Sequence, residues 1–159
     1  MASEGNPEAL RKVLEETFPK LAETPWRFVP ELQGELDPAQ YNCIAWAAGD
    51  QRRWWWPSKY SAPAAYWPPA TPCEETLAAF ILAFATVGYE PCEGPLPEQG
   101  HEKIALYGIA GAPKHAARQL SDGTWTSKLG QFPFLIQHTL DGLSGSVYGS
   151  VFHYLKRRV

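Results

Sequence analysis

The order of the secondary-structure patterns constrains the fold of this chain more than any other feature. Apolar residues recur at helical spacing in the first half of the sequence, whereas strand-like segments fill much of the second half. Helices followed by a run of antiparallel strands are typical of the α+β class. The sequence therefore predicts N-terminal helices packed on a small antiparallel sheet.

Three helices are predicted from apolar spacing and from residues that favour helix ends. Asn6 precedes Pro7 and is a favoured cap for the first helix. Gly49 suits the position just after the second helix, and either Thr71 or Thr76 caps the third. The predicted helices cover residues 7–18, 43–48 and about 74–87.

Strand-like segments follow in the second half, and the last two are joined by a hairpin loop, Ser121-Asp122-Gly123. The predicted strands cover residues 103–109, 115–120 and 124–129. Residues 134–143 are predicted as a short helix, and residues 147–157 as a closing strand or short helix. An irregular connector is expected at residues 23–40, and loops at 51–72 and 90–100.

Length and charge limit the architecture and the classes of partner. The 159 residues fit one domain, with a helix and connector over 1–36 and a core over 37–159. The net charge of −3 leaves no broad basic surface, so neither nucleic acid nor an anionic membrane is expected as a partner. The longest apolar run, residues 77–87, is shorter than the roughly 20 residues of a membrane span.

The N-terminus and the cysteines bear on compartment and cofactors. No positive start followed by an apolar stretch marks a secretory signal, so a cytoplasmic location is expected, with signal-less secretion as the alternative. Three cysteines, an odd number, do not suggest a disulfide framework. Cys73, Cys92 and His101 lack the close spacing of zinc ligands, so no metal or cofactor is expected.

Cys43 has two interpretations. A free cysteine is often a small buried hydrophobe. However, Cys43 opens a predicted helix after Asn42, and the free N–H groups of a helix start favour the thiolate and can hold an oxyanion. On that interpretation the pKa of the thiol is lowered. Cys73, also near a helix start, is the rival nucleophile, but Glu74 and Glu75 beside it would raise its pKa.

His115 is the candidate base because it opens a strand that leads into the hairpin. If Leu120 pairs with Thr124, Ser127 becomes a diagonal neighbour of His115 on the same face of the sheet. Ser127 is therefore the candidate orienting partner, and Gln119 and Asp141 are the alternatives for that role.

The segment "YNCIAWA" and the later "KHAARQLSDGTWTSKLG" resemble the nucleophile and histidine segments of papain-like cysteine peptidases, nearest to the bacterial branch that includes cell-wall amidases. The resemblance covers roughly residues 37–130. It implies a papain-like fold, Cys43 as nucleophile and His115 as general base. The backbone N–H of Cys43, with Gln40 or Tyr41, would donate to the oxyanion. The third position departs from the family pattern, since Ser127 stands where His, Asn, Asp or Gln is usual.

The run Trp54, Trp55 and Trp56 lies in a proline-rich stretch and cannot share one face of a regular element. The rings either wall a substrate cleft near Cys43 or form a small aromatic core over the loop. Together with Gln40, Tyr41 and Asn42, they are the candidate oxyanion and substrate-binding residues.

The sequence thus predicts a cysteine-dependent hydrolase or acyl transferase that cleaves an amide or related acyl bond in a peptide, protein or other substrate. A thioacyl intermediate on Cys43 would form with His115 as general base. The alternative is a non-catalytic peptide- or protein-binding module on the same fold that uses the aromatic loop 54–67. The sequence does not determine the oligomeric state.

Overall fold

The computed structural model describes residues 7–58, 65–129, 132 and 134–159, and over this range seven antiparallel strands form one sheet. The strand order is β1-β6-β5-β4-β3-β7-β2. No helix of this range has the length and apolar character needed to cross a bilayer. The elements are α1 (Pro7–Thr17), β1 (Trp26–Phe28), α2 (Cys43–Ala48), α3 (Leu77–Ala85), β2 (Glu90–Cys92), β3 (His101–Ile109), β4 (Ala112–Gln119), β5 (Trp125–Lys128), β6 (Leu135–His138) and β7 (Ser150–Arg158).

The predicted α+β class is confirmed at this coarse level, and so are the positions of the three helices predicted before residue 90. α2 has the predicted bounds and ends at Gly49, whose φ of 88° lies in the left-handed region that favours glycine. α3 is shorter than predicted and is capped by Thr76, whose side chain accepts from the Ala79 N–H, rather than by Thr71. The predicted cap Asn6 lies outside the described residues.

The predicted helix over residues 134–143 is wrong. Its first part is β6, which pairs with β5 on one side and β1 on the other, and its last part is a 3-10 turn, Asp141–Leu143. A segment with strands on both sides gains a ladder of hydrogen bonds along each, so tertiary pairing overrides the local pattern.

Two short strands lie in segments predicted to be irregular. β1 and β2 have three residues each and form the two edges of the sheet. Pro91 in β2 fits an edge strand, because proline cannot donate to a second neighbour. Three residues are too few for a period to emerge from sequence. The closing segment, predicted as a strand or short helix, is the long strand β7.

The predicted hairpin between β4 and β5 is confirmed, including its register. The Leu120 N–H donates to the Thr124 carbonyl over 2.8 Å, and Gln119 pairs with Trp125. The backbone pairing ends at Arg118 and Thr126, whereas both strands continue past this point. This leaves an opening between residues 115–117 and 127–129, called the strand gap below.

Two apolar clusters cover the faces of the sheet. The first holds α2 and α3, with Ala116 and Leu106 from the strands beneath them. The second holds Leu14 of α1, together with Tyr107 and Ala117. Because neighbouring residues of a strand point to opposite faces, Ala116 belongs to the first cluster and Ala117 to the second.

All six residues of α2 are buried, and both ends of the helix are held by other elements. At the C-terminal end, Arg118 donates to the Trp46 carbonyl and Arg157 donates to the Ala48 carbonyl. Both arginines also pair with the buried Glu102 carboxylate, which offsets one of their two positive charges. Cations at a helix C-terminus interact favourably with its unpaired carbonyls.

At the N-terminal end of α2, Asn42 joins the helix to the tryptophan segment. Its side-chain oxygen accepts from the N–H groups of Ala45 and Trp55, each over 3.1 Å, and its amide donates to the Trp55 carbonyl over 2.7 Å. Asn42 therefore caps α2 and satisfies both polar backbone groups of Trp55 at once.

Replacing Asn42 tests this double role. We expect Asn42→Ala to lower the free energy of unfolding by about 3 kcal/mol, because it removes a cap and leaves two backbone groups of Trp55 without partners. The matched variant Thr76→Ala removes only a cap and should cost about 1 kcal/mol. Equal losses in chemical denaturation would show that the bonds to Trp55 contribute nothing.

Candidate functional site

The Cys43 sulfur lies at the start of α2 among donors, although its side chain is buried. The backbone N–H groups of Ala116, Ile44 and Cys43 itself are directed at it, and the Lys128 ammonium lies near. These groups favour the thiolate, but desolvation exceeds their sum and raises the pKa of the thiol to about 11. The predicted lowering of this pKa is therefore wrong, and the resting thiol is neutral.

Lys128 is a component of the site that sequence reasoning missed. Its side chain is buried against α2, and Nζ donates to the Tyr41 carbonyl over 3.0 Å. Burial lowers its pKa to about 8, so the amine carries a charge at neutral pH that desolvation only partly suppresses. The alternation of side chains along a strand could have shown that Lys128 and Thr126 share one face of the sheet. The structure shows that this face is the one covered by α2, because Thr126 accepts a hydrogen bond from Trp46.

His115 is completely buried and lies on the other face of the sheet. Its ring stacks on Tyr148 at 4.0 Å between centroids and meets Tyr107 edge-on. Its Nε2 lies 2.9 Å from the Ser127 hydroxyl, which joins β4 to β5 beyond the last backbone pair. Burial, and the nearby His138, lower the pKa of His115 well below its ordinary value.

Ser127 leads in turn to a second histidine. Its hydroxyl lies 2.7 Å from His138 Nε2, and His138 Nδ1 lies 2.7 Å from the Thr139 carbonyl. A carbonyl can only accept, so Nδ1 of His138 carries a proton. Burial lowers the pKa of His138 to about 4, so at neutral pH its Nε2 is an acceptor.

These bonds fix the tautomer of His115. Because His138 Nε2 accepts, the Ser127 hydroxyl donates to it, and Ser127 Oγ accepts from the Nε2–H of His115. The neutral His115 ring therefore has its lone pair at Nδ1. Among the described residues, this buried nitrogen has no hydrogen-bond partner. A neutral imidazole accepts a proton only at the nitrogen that carries the lone pair, and in His115 that nitrogen is Nδ1.

The sulfur and the imidazole approach the strand gap from opposite faces of the sheet. Cys43 packs in the first cluster, whereas the His115 ring contacts Tyr107 and Tyr148 of the second. The Ala116 N–H directed at the sulfur belongs to the peptide that joins Ala116 to His115. Moreover, a charge on the sulfur would raise the pKa of Tyr148, the ring stacked on His115. The first observation places the sulfur near the backbone N–H that follows His115, and the second shows that the sulfur lies within electrostatic range of Tyr148.

The other candidate residues of the site lie as follows. Gln40 is exposed, and the Tyr41 hydroxyl is bonded to the side chain of Gln33. Of the alternatives to Ser127, Gln119 donates to the Pro95 carbonyl and Asp141 pairs with Lys20 at the surface. Neither contacts His115, so Ser127 is the residue that bonds its ring.

The tryptophan run divides between core and surface. Trp55 is 1% exposed and packs on Phe84, and Trp56 meets Phe80 edge-on. Trp54, at 38% exposed, lies at the surface. Of the predicted aromatic loop, residues 59–64 lie outside the described range. The described rings thus correspond largely to a small aromatic core over α3, and the Trp55 ring has no face left for a ligand.

The described residues do not meet the requirements of a metal site. Across these residues, no group of three or more His, Cys, Asp or Glu side chains is arranged to hold an ion. His101 bonds to the Gln99 carbonyl instead.

The buried histidines make stability depend on pH. His138 is neutral in the fold to about pH 4 but takes a proton near pH 6.5 when unfolded, so the unfolded state binds more protons between these values. We expect the free energy of unfolding to fall as pH drops through this window, by about 3 kcal/mol for His138 alone. Denaturation at pH 7 and pH 4 measures it. On acidification, the free energy of unfolding of His138→Gln should fall by about 3 kcal/mol less than that of the wild type. His101→Gln controls for the loss of a histidine.

Comparison with known proteins gives a family for most of the chain. No curated protein and no solved structure is significantly similar to it. Residues 34–156 match a family model described as a domain of unknown function, DUF7689. This range contains Cys43, His115, Ser127 and His138, and it omits α1. The chain belongs to the DUF7689 family.

Proposed function

We propose that this domain is a cysteine-dependent hydrolase or acyl transferase of papain-like type, with Cys43 as nucleophile and His115 as general base. One observation carries the proposal. His115 holds a buried lone pair at Nδ1 that has no hydrogen-bond partner among the described residues, its tautomer is fixed from the other side of the ring, and the N–H of the next residue, Ala116, faces the Cys43 sulfur. An unpaired buried polar atom costs about 1–3 kcal/mol, so a role in proton transfer would account for leaving Nδ1 of His115 without a partner.

In the proposed reaction both groups start neutral, since burial raises the pKa of Cys43 and lowers that of His115. The thiol proton passes to His115 Nδ1 as the sulfur attacks the acyl carbon. The resulting imidazolium then gives this proton to the leaving group as the carbon–nitrogen or carbon–oxygen bond breaks. Water, or an amine in a transferase, attacks the thioacyl intermediate with His115 again as base and releases Cys43.

Fixed hydrogen-bond donors would stabilise the negative charge that develops during the attack. The N–H groups of Cys43, Ile44 and Ala116 are held by α2 and β4, so they need no reorientation as the negative charge forms. Lys128 adds a positive charge on the same side. The sequence had already assigned the Cys43 N–H to this role; in the proposal the N–H groups of Ile44 and Ala116 and the Lys128 charge replace the side chains of Gln40 or Tyr41.

A second candidate function is a non-catalytic binding module, and the burial of the thiol favours it. Cys43 is 7% exposed, and its pKa near 11 gives a neutral resting sulfur. On this alternative, Trp54 and the partly buried Trp56 and Trp67 would contact a peptide or protein. The two functions differ in whether Cys43 becomes acylated.

Acylation of Cys43 distinguishes the two functions. Mixing the protein with p-nitrophenyl acetate should release a burst of p-nitrophenolate close to one equivalent, and mass spectrometry should find the acetyl group on Cys43. We expect Cys43→Ala to abolish the burst. His115→Gln should slow it by about a hundredfold or more, because a positioned base contributes roughly 10²–10⁴-fold.

Matched cysteine variants serve as controls for this experiment. Cys73→Ala and Cys92→Ala should keep the full burst, and thermal unfolding should show that every variant folds. Acetylation spread evenly over the three cysteines, or a burst that keeps the wild-type rate in His115→Gln, would contradict the catalytic pair and favour the binding module.

The charge of Lys128 predicts an alkaline limb in the pH profile. Because its pKa is about 8, the amine loses its charge as pH rises through that value, and the acylation rate should fall. Lys128→Met keeps a similar shape without the charge, so it should be slower at pH 7 and should lack the limb. A wild-type rate that stays level from pH 7 to pH 9 would exclude a role for this charge.

A further inference from the structure

We propose that His138 is a positioning residue for His115 and acts through the Ser127 hydroxyl. This inference rests on the proposed function for its role in catalysis, but its structural content is independent of it. The claim is that His138 decides which nitrogen of His115 carries the proton.

Ser127 alone cannot make this decision, because a hydroxyl both donates and accepts. If it donated to His115 Nε2, the proton of the neutral His115 ring would move to Nδ1, and the ring could no longer accept a proton there. The bond from Ser127 to His115 is therefore compatible with an active and an inactive tautomer. Something beyond Ser127 has to set its direction.

His138 sets that direction because its own tautomer is fixed by the backbone. The Thr139 carbonyl, 2.7 Å from Nδ1, requires a proton on that nitrogen, which leaves Nε2 as an acceptor 2.7 Å from Ser127 Oγ. Ser127 then donates outward and accepts from His115. The chain of bonds ends at a backbone carbonyl, so no member is free to reverse without breaking a buried bond.

The sheet holds this chain of side chains rigidly. His138 pairs with Trp26 of β1 and with Trp125 of β5, so strands flank it on both sides. It also lines an open groove of about 600 Å³ with Trp26, Trp125 and Leu140. The histidine is thus held between two strands near one edge of the sheet, and one side of its surroundings opens to the groove.

The chain also suits the cation that forms during catalysis. When His115 takes the thiol proton, its Nε2–H still donates to Ser127, and the outward dipoles of Ser127 and His138 point their negative ends toward the new charge. A ring in the other tautomer would lack this arrangement. Ser127, hydrogen-bonded to His138, can therefore orient His115 as a single stronger residue would.

The direct test is the tautomer of His115, read from ¹⁵N chemical shifts of the imidazole nitrogens in the full chain at pH 7. In the wild type, we expect Nε2 to carry the proton and Nδ1 to be bare. In His138→Phe, Ser127 loses its acceptor, and at least half of His115 should shift to the Nδ1–H form. His138→Gln offers an amide oxygen to Ser127 and should restore the wild-type tautomer.

The kinetic readout uses the same variants. His138→Phe should lower kcat/KM for p-nitrophenyl acetate about tenfold or more through kcat, with KM nearly unchanged, and His138→Gln should recover most of it. If His138→Phe does not fold, the wild-type spectrum decides, because an Nδ1–H form of His115 would overturn the inference. An unchanged tautomer in a folded His138→Phe would also overturn it.

The two proposals fail in different ways. If the wild type forms no acyl adduct but the tautomer shifts as expected, the proposed function fails and the directing role of His138 stands. If Cys43 is acylated normally in a folded His138→Phe, the enzyme stands and the positioning role fails.

Discussion

The buried attachment of α2 is the constraint on which the rest of the structure depends. A six-residue helix is too short to be stable by itself, so its conformation has to come from its surroundings. Asn42 fixes one end, and Arg118 and Arg157 fix the other. The helix also packs on both β4 and β5, the two strands that separate at the strand gap. The position of the Cys43 sulfur follows from these attachments.

Burial changes the chemistry that the helix start suggested. Backbone N–H groups favour a thiolate, but removing a charge from water costs more than these donors return, and the pKa of Cys43 rises to about 11. The same desolvation lowers the pKa of His115. The pair therefore rests as a neutral thiol and a neutral imidazole. In the proposed mechanism the proton moves as the bond forms, rather than beforehand.

Local signals in the sequence predicted the features that depend on neighbouring residues. The cap Asn42, the stop Gly49 and the hairpin before Thr124 need only a few adjacent residues, and all three are confirmed. The hairpin register also brought Ser127 to His115 correctly. A resemblance to papain-like peptidases pointed to Cys43 and His115, and their chemical roles remain proposals.

Features that depend on distant residues could not be predicted in the same way. β6 looked helical because its strand character comes from β1 and β5 on either side. The pKa of Cys43 depends on how deeply the fold buries α2, which a motif does not show. His138 hydrogen-bonds to Ser127, and Ser127 is also the partner of His115. That link crosses three strands and leaves no pattern in the sequence.

The strand gap has a further consequence for how this sheet holds together. Only two backbone pairs join β4 to β5, so the three strands on one side are connected to the four on the other largely by side chains, among them His115 and Ser127. The side chains proposed for chemistry thus also connect the two parts of the sheet. Substitutions there cannot tune reactivity without also changing cohesion, which restricts the paths by which such a site can evolve.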